Sequence, residues 1–121
     1  MASVLKAIAY TGSISGGSGQ TAALSLDAFT TDFIPTVQVS ALGAGTALAV
    51  TFQHSPDGTY WDDVVALETT AGGASLAAVG IMLKQVVNTT PVYGNVRFSW
   101  TLTGGTTTAT AIFSVYCDKR K

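Results

Sequence analysis

Large apolar residues fall on every second position in two stretches of the chain. Over residues 46–53, Leu48, Val50 and Phe52 alternate with Ala49, Thr51 and Gln53. Over residues 95–103, Val96, Phe98, Trp100 and Leu102 alternate with Arg97, Ser99, Thr101 and Thr103. Successive side chains of a strand point to opposite faces, so each stretch predicts a β-strand with one buried face. A slip of one residue in the second would expose four large apolar groups, which specifies its facing strongly. Weaker strand patterns fill 4–14, 21–26, 34–42, 63–69, 75–83 and 106–117. Residues 74–87 match neither spacing cleanly, but Gly80 disfavours a helix interior by about 1 kcal/mol relative to alanine, so strand is expected there as well.

Clusters of turn-forming residues at 16–19, 27–32, 43–45, 71–73, 88–91 and 104–105 separate these runs. Short strands punctuated about every 8–12 residues predict an all-β fold. The expectation is a single antiparallel β-sandwich, jelly-roll-like, of about eight strands. No linker divides the chain, so residues 1–121 read as a single domain with short N- and C-terminal arms.

Composition changes the picture of the surface. The charged fraction is 11%, less than half of the about 25% of an average soluble domain. With 18 Thr, 10 Ser and 17 Ala, the exterior must be built largely from small hydroxyl and methyl side chains. Such a surface is cheap to desolvate and suits coverage in an assembly; a monomer with threonine on exposed strand faces is the other reading. Six basic and seven acidic residues leave no broad positive field for nucleic acid, so no specific nucleic-acid partner is expected. One cysteine, Cys117, makes no internal disulfide. No apolar run approaches the roughly 18 residues of a membrane span, and Lys6 interrupts the first apolar stretch, so neither a membrane nor a secretory route is expected.

The residues that could carry chemistry cluster at one turn. Ser55, Pro56, Asp57 and Gly58 have the order of a type I turn, with proline preset at its second position and glycine free to take positive φ. Trp61 follows so as to pack back across this structural hairpin onto the preceding strand. Asp57, Asp62 and Asp63 lack the spacing of a calcium loop, and each has an ordinary role as turn former or solvated strand entry. His54 is the only histidine and has no serine elbow near it, one cysteine and one histidine cannot build a zinc site, and residues 16–19 are not followed by a phosphate-binding lysine. The expectation is therefore no enzyme, no cofactor and no metal. Tyr60, Trp61 and Tyr93 are the aromatics best placed to show at loop ends, where they would either stack on a sugar or cap the fold. Half of all the basic residues sit in Lys119, Arg120 and Lys121, which would solubilise the chain end or anchor a partner.

The stretch Ser55-Pro56-Asp57-Gly58-Thr59-Tyr60-Trp61 resembles the hairpin of discoidin-type β-sandwich modules and the aspartate-box turn of sialidase repeats. It also resembles a hairpin of small β-sandwich virion proteins of tailed bacteriophages. The motif is structural in those families, and aspartate boxes come in several copies where this chain has one. The phage resemblance implies a virion protein made in the host cytoplasm, specifically a capsid decoration (cement) protein. Its partners would be the major capsid protein and copies of itself, the homo-oligomers of such families often being trimers. Candidate partner contacts are Val4 and Leu5 in the first strand and Lys119, Arg120 and Lys121 at the end. A tail, adaptor or fibre-associated virion protein is the alternative within the virion. A glycan-binding module, using Tyr60, Trp61 and Tyr93, is the alternative outside it.

Overall fold

A computed structural model describes residues 3–25, 32–87 and 90–119. The described residues form ten strands and no helix: β1 (Ser3–Ser15), β2 (Ser18–Gln20), β3 (Leu24–Ser25), β4 (Phe33–Leu42), β5 (Ala47–Ser55), β6 (Asp62–Ala66), β7 (Glu68–Thr69), β8 (Gly80–Leu83), β9 (Asn95–Thr103) and β10 (Thr108–Lys119). They build the expected β-sandwich from two antiparallel five-stranded sheets. The first sheet has the order β1-β10-β4-β8-β7; the second runs β2-β9-β5-β6, with β3 also paired to β9.

The two clearest alternations pair with each other. Phe52 lies opposite Phe98 and Val50 opposite Trp100, so both strands turn the same parity inward. From the first sheet, Phe33, Val37, Val39, Ala111, Phe113 and Val115 meet them, all buried. Phe33, Phe52, Phe98 and Phe113 form a chain of ring contacts at 5.8, 5.4 and 5.5 Å that ties sheet to sheet. Edge-on and tilted aromatic pairs at this spacing add to area burial.

Two expected strands are each divided between the sheets. Residues 63–69 begin as β6 in the second sheet, where Leu67 N–H donates to the Val50 carbonyl, and continue as β7 in the first. Leu67, at the corner, is completely buried. Residues 75–83 likewise start with Leu76 bonded to Leu48 of the second sheet and end as β8 in the first. A segment that changes sheets must change which face it buries, so no single period fits it. That is why 74–87 matches neither spacing, and why there are more, shorter strands than about eight.

Candidate functional site

The hairpin after β5 is built by two side chains. Ser55 is buried, and its Oγ accepts from the N–H of Asp57 at 3.3 Å and of Gly58 at 2.8 Å while donating to Asp57 Oδ1 at 3.1 Å. Asp57 Oδ1 in turn accepts from the N–H of Thr59 at 2.8 Å and of Tyr60 at 3.1 Å. These bonds to the ionised form, Thr59 first, hold the Asp57 carboxyl below its ordinary range. Pro56 is exposed at the turn, and Gly58 takes φ +79°, where glycine carries no steric cost.

Trp61 does fold back over the turn, but onto the outside of the sandwich. Its Nε1 donates to the Gly58 carbonyl at 3.2 Å, and the Arg97 guanidinium carbon lies 4.2 Å from its ring centroid. Arg97 Nε donates to Gln53 Oε1 at 2.9 Å, and Gln53 Nε2 donates to Asp63 Oδ1 at 2.9 Å. A line of polar groups thus crosses β9, β5 and β6. Asp62 Oδ1 accepts from Asp63 N–H, so the three aspartates of this region point to different partners.

Tyr93 pairs elsewhere. Its N–H donates to His54 Nδ1 at 3.0 Å, and the two rings lie 5.1 Å apart beside a hollow of about 420 Å³ lined also by Pro91 and Val92. Tyr60 is exposed. The structure therefore couples Trp61 to Arg97 and Tyr93 to His54, rather than gathering the three aromatics into one contact.

Of the expected partner contacts, Val4, Leu5 and Lys119 are described, and they lie in one ladder. In the β1–β10 ladder Ser3 lies opposite Lys119, Val4 opposite Asp118 and Leu5 opposite Cys117. Lys119 thus lies on β10 opposite the start of the edge strand β1. Arg120 and Lys121 lie outside the described residues.

Register exposes a feature that sequence reasoning missed. On the outward side of the first sheet, Ile8, Ser114, Thr36 and Leu83 form one row across β1, β10, β4 and β8. Thr11, Ile112, Gln38 and Ile81 form the next, and Tyr116 and Ile34 flank the first row on its other side. Ile8, Ile81 and Leu83 are 50%, 44% and 39% exposed. Gln38 Nε2 donates diagonally to Tyr116 Oη at 3.1 Å, across the row that holds Ser114 and Thr36. Beneath that bridge Ser114 is 0% exposed and its Oγ has no hydrogen-bond partner. The signal was present in 108–117, where Ile112 and Tyr116 add apolar residues to the parity opposite Phe113 and Val115. The outward side of the second sheet carries Thr51, Gln53, Arg97, Ser99, Thr101 and Thr103 instead.

No family model and no curated protein matches the sequence. Solved structures share the fold. A chain of the T13 infectious bursal disease virus particle matches with a TM-score of 0.59 at 16% identity, covering 97% of this chain and 31% of that one. The VP2 subviral particle of the same virus gives 0.59 at 15% identity, over 97% and 32%. The SPBc2 prophage-derived protein YomS gives 0.58 at 11% identity, over 98% of this chain and 96% of that one. The chain spans about a third of the length of the bursal disease virus chains it matches and nearly all of YomS.

Proposed function

We propose that this chain is a structural protein of a virion, a capsid decoration protein that binds the major capsid protein shell and further copies of itself. The observation that carries the reading is the outer surface of the sandwich. One outward face sets exposed Ile8, Ile81 and Leu83 among uncharged polar groups and the other is dominated by small hydroxyls, so large areas are cheap to remove from water. The fold, shared with chains of viral particles and with a prophage-derived protein over almost its whole length, supports a virion setting. Single-domain organisation over residues 1–121 belongs to the same reading.

The role is mechanical: each copy bridges neighbouring shell subunits, adding contact free energy that opposes the outward pressure of a packaged genome. The β1 edge and the end of β10 beside it are the proposed anchor to the shell, with Val4, Leu5, Lys119, Arg120 and Lys121 as its contacts. β1 is a 13-residue strand at the end of its sheet, and such an edge can accept a further strand. Electron microscopy of native particles tests the reading, with near-stoichiometric density on the shell expected. Density confined to tails would replace it by a tail or adaptor role.

A glycan-binding role is favoured by one observation, the exposure of the Tyr60 and Tyr93 rings. Retention on a glycan array that disappears in Trp61→Ala would support it over the assembly role.

A further inference from the structure

We propose that the outward face of the β1-β10-β4-β8-β7 sheet binds the same face of a second copy of this chain about a two-fold axis. The inference rests on the assembly reading above, within which it identifies the surface that copies of the chain use for one another.

The relief of the face supports a copy as its occupant. Ile8, Leu83, Ile112 and Ile81 raise a ridge across the strands. Further along the same strands the outward positions shrink to Ser13, Ser15, Ala41, Thr108 and Thr110, which border a hollow of about 380 Å³. A two-fold axis lying in the interface and running across the strands reverses strand direction between copies. It sets Ile8 and Ile112 of each copy over the hollow of the other, with Ile81 and Leu83 beside it, so both contacts form at once, as an isologous interface requires.

Charge gives the same answer. The Ile8–Leu83 and Thr11–Ile81 rows carry no ionised side chain; at the rim Glu68 and Lys84 neutralise each other at 3.5 Å, and Lys6 takes the register position opposite Tyr116, at the end of the face away from the hollow. Two copies therefore meet without like charges opposed. Size is adequate for a weak dimer. Four strands at about 4.8 Å spacing and about six residues of length give a footprint roughly 20 Å on a side. Roughened by side chains, that approaches the low end of the roughly 800 Å² per partner of a standard interface.

Sedimentation of the full chain over a concentration series tests this. The expected result is a reversible monomer–dimer equilibrium, weakened about tenfold or more by either Ile8→Lys or Ile81→Lys and unchanged by Thr101→Lys on the other sheet. Circular dichroism melts of the two variants should match the parent, because both positions are exposed. Thr110→Tyr fills the hollow; it should also weaken the dimer, although it adds apolar surface. Tighter association of Thr110→Tyr would mean unspecific apolar contact and overturn the proposal. So would a monomer at every concentration, a trimer, or a dimer sensitive to Thr101→Lys but not to Ile81→Lys. A chain that is monomeric in solution yet present on particles overturns this inference alone. A dimer with the expected variant pattern that is missing from particles supports the inference and overturns the virion reading.

Discussion

The two sheets share a core and differ on their outward sides. The second sheet shows water the pattern of a half-buried antiparallel sheet: Thr51, Ser99, Thr101 and Thr103 outward, with Arg97, Gln53 and Asp63 joined in a hydrogen-bonded line. The first shows isoleucines and a leucine, and its central hydroxyl, Ser114, is shut away from water without a partner. A hydroxyl facing solvent costs nothing in desolvation, whereas one buried under its neighbours and unbonded costs free energy. The same residue type thus has opposite energetic meaning on the two sides. The difference separates a sheet whose central outward hydroxyl is closed over by its own neighbours from one whose outward hydroxyls meet water.

The largest expected effect tests what the faces have in common. Phe98 is fully buried in the second sheet and touches both Phe52 of its own sheet and Phe113 of the other. Phe98→Ala should lower the free energy of unfolding by about 3–5 kcal/mol in a urea titration. Both sheets should melt together; loss of protection confined to one would mean that the core does not couple them. Next comes Ser55→Ala, which removes the oxygen that two turn N–H groups use and should cost about 1–2 kcal/mol. By hydrogen exchange the loss should concentrate at the β5–β6 end of the second sheet and leave β1 and β4 unchanged.

The contrast between the faces also explains how far the sequence could be read. β5 and β9 were legible because their outward positions are polar or small, so alternation in chemistry follows alternation in space. β10 was legible as a strand but not in its facing. Ile112 and Tyr116 on one parity compete with Phe113 and Val115 on the other, and only the pairing with β1 and β4 decides which pair is inside. The pairing itself joins residues more than a hundred positions apart, Ser3 with Lys119, and no local pattern encodes it. The Ser55–Asp57 turn was readable from four residues, since its bonds are local. Trp61 was expected over the hairpin, but its partner Arg97 comes from β9, and that contact exists only once the strands are registered. The apolar outward face was visible in composition only as low charge. Locating it required the register of four strands.

A smaller effect of opposite sign sharpens the comparison. Ser114→Ala removes a buried oxygen that has no hydrogen bond, and should raise the free energy of unfolding by about 1 kcal/mol. Ser99→Ala, on the wet side, should change it by less than about 0.5 kcal/mol. Equal effects in the two variants, measured by urea titration, would erase the energetic distinction between the faces.

Acid provides the finest test, because a carboxylate accepts hydrogen bonds within the turn at the end of the second sheet and the central rows of the first contain none. The Asp57 carboxyl is held below its ordinary range chiefly by the N–H groups of Thr59 and Tyr60, which prefer the ionised form. A carboxyl lowered on folding contributes stability that is fully present above its unfolded-state value and is lost as pH falls through the folded-state value. Asp57 is fully solvent-exposed, which screens the contribution and keeps it small. The readout is accordingly local. In an NMR titration the Thr59 and Tyr60 amide resonances should move together at acid pH, with a midpoint below that of an ordinary aspartate. Those of Ile81 and Ile112 should stay still. Asp57→Asn should abolish the movement while leaving the turn in place through Ser55, whose hydroxyl still accepts from Gly58. Movement of Ile81 and Ile112 with the same midpoint would show that the turn and the apolar face are coupled through the core, and that the two sides of the sandwich do not respond independently.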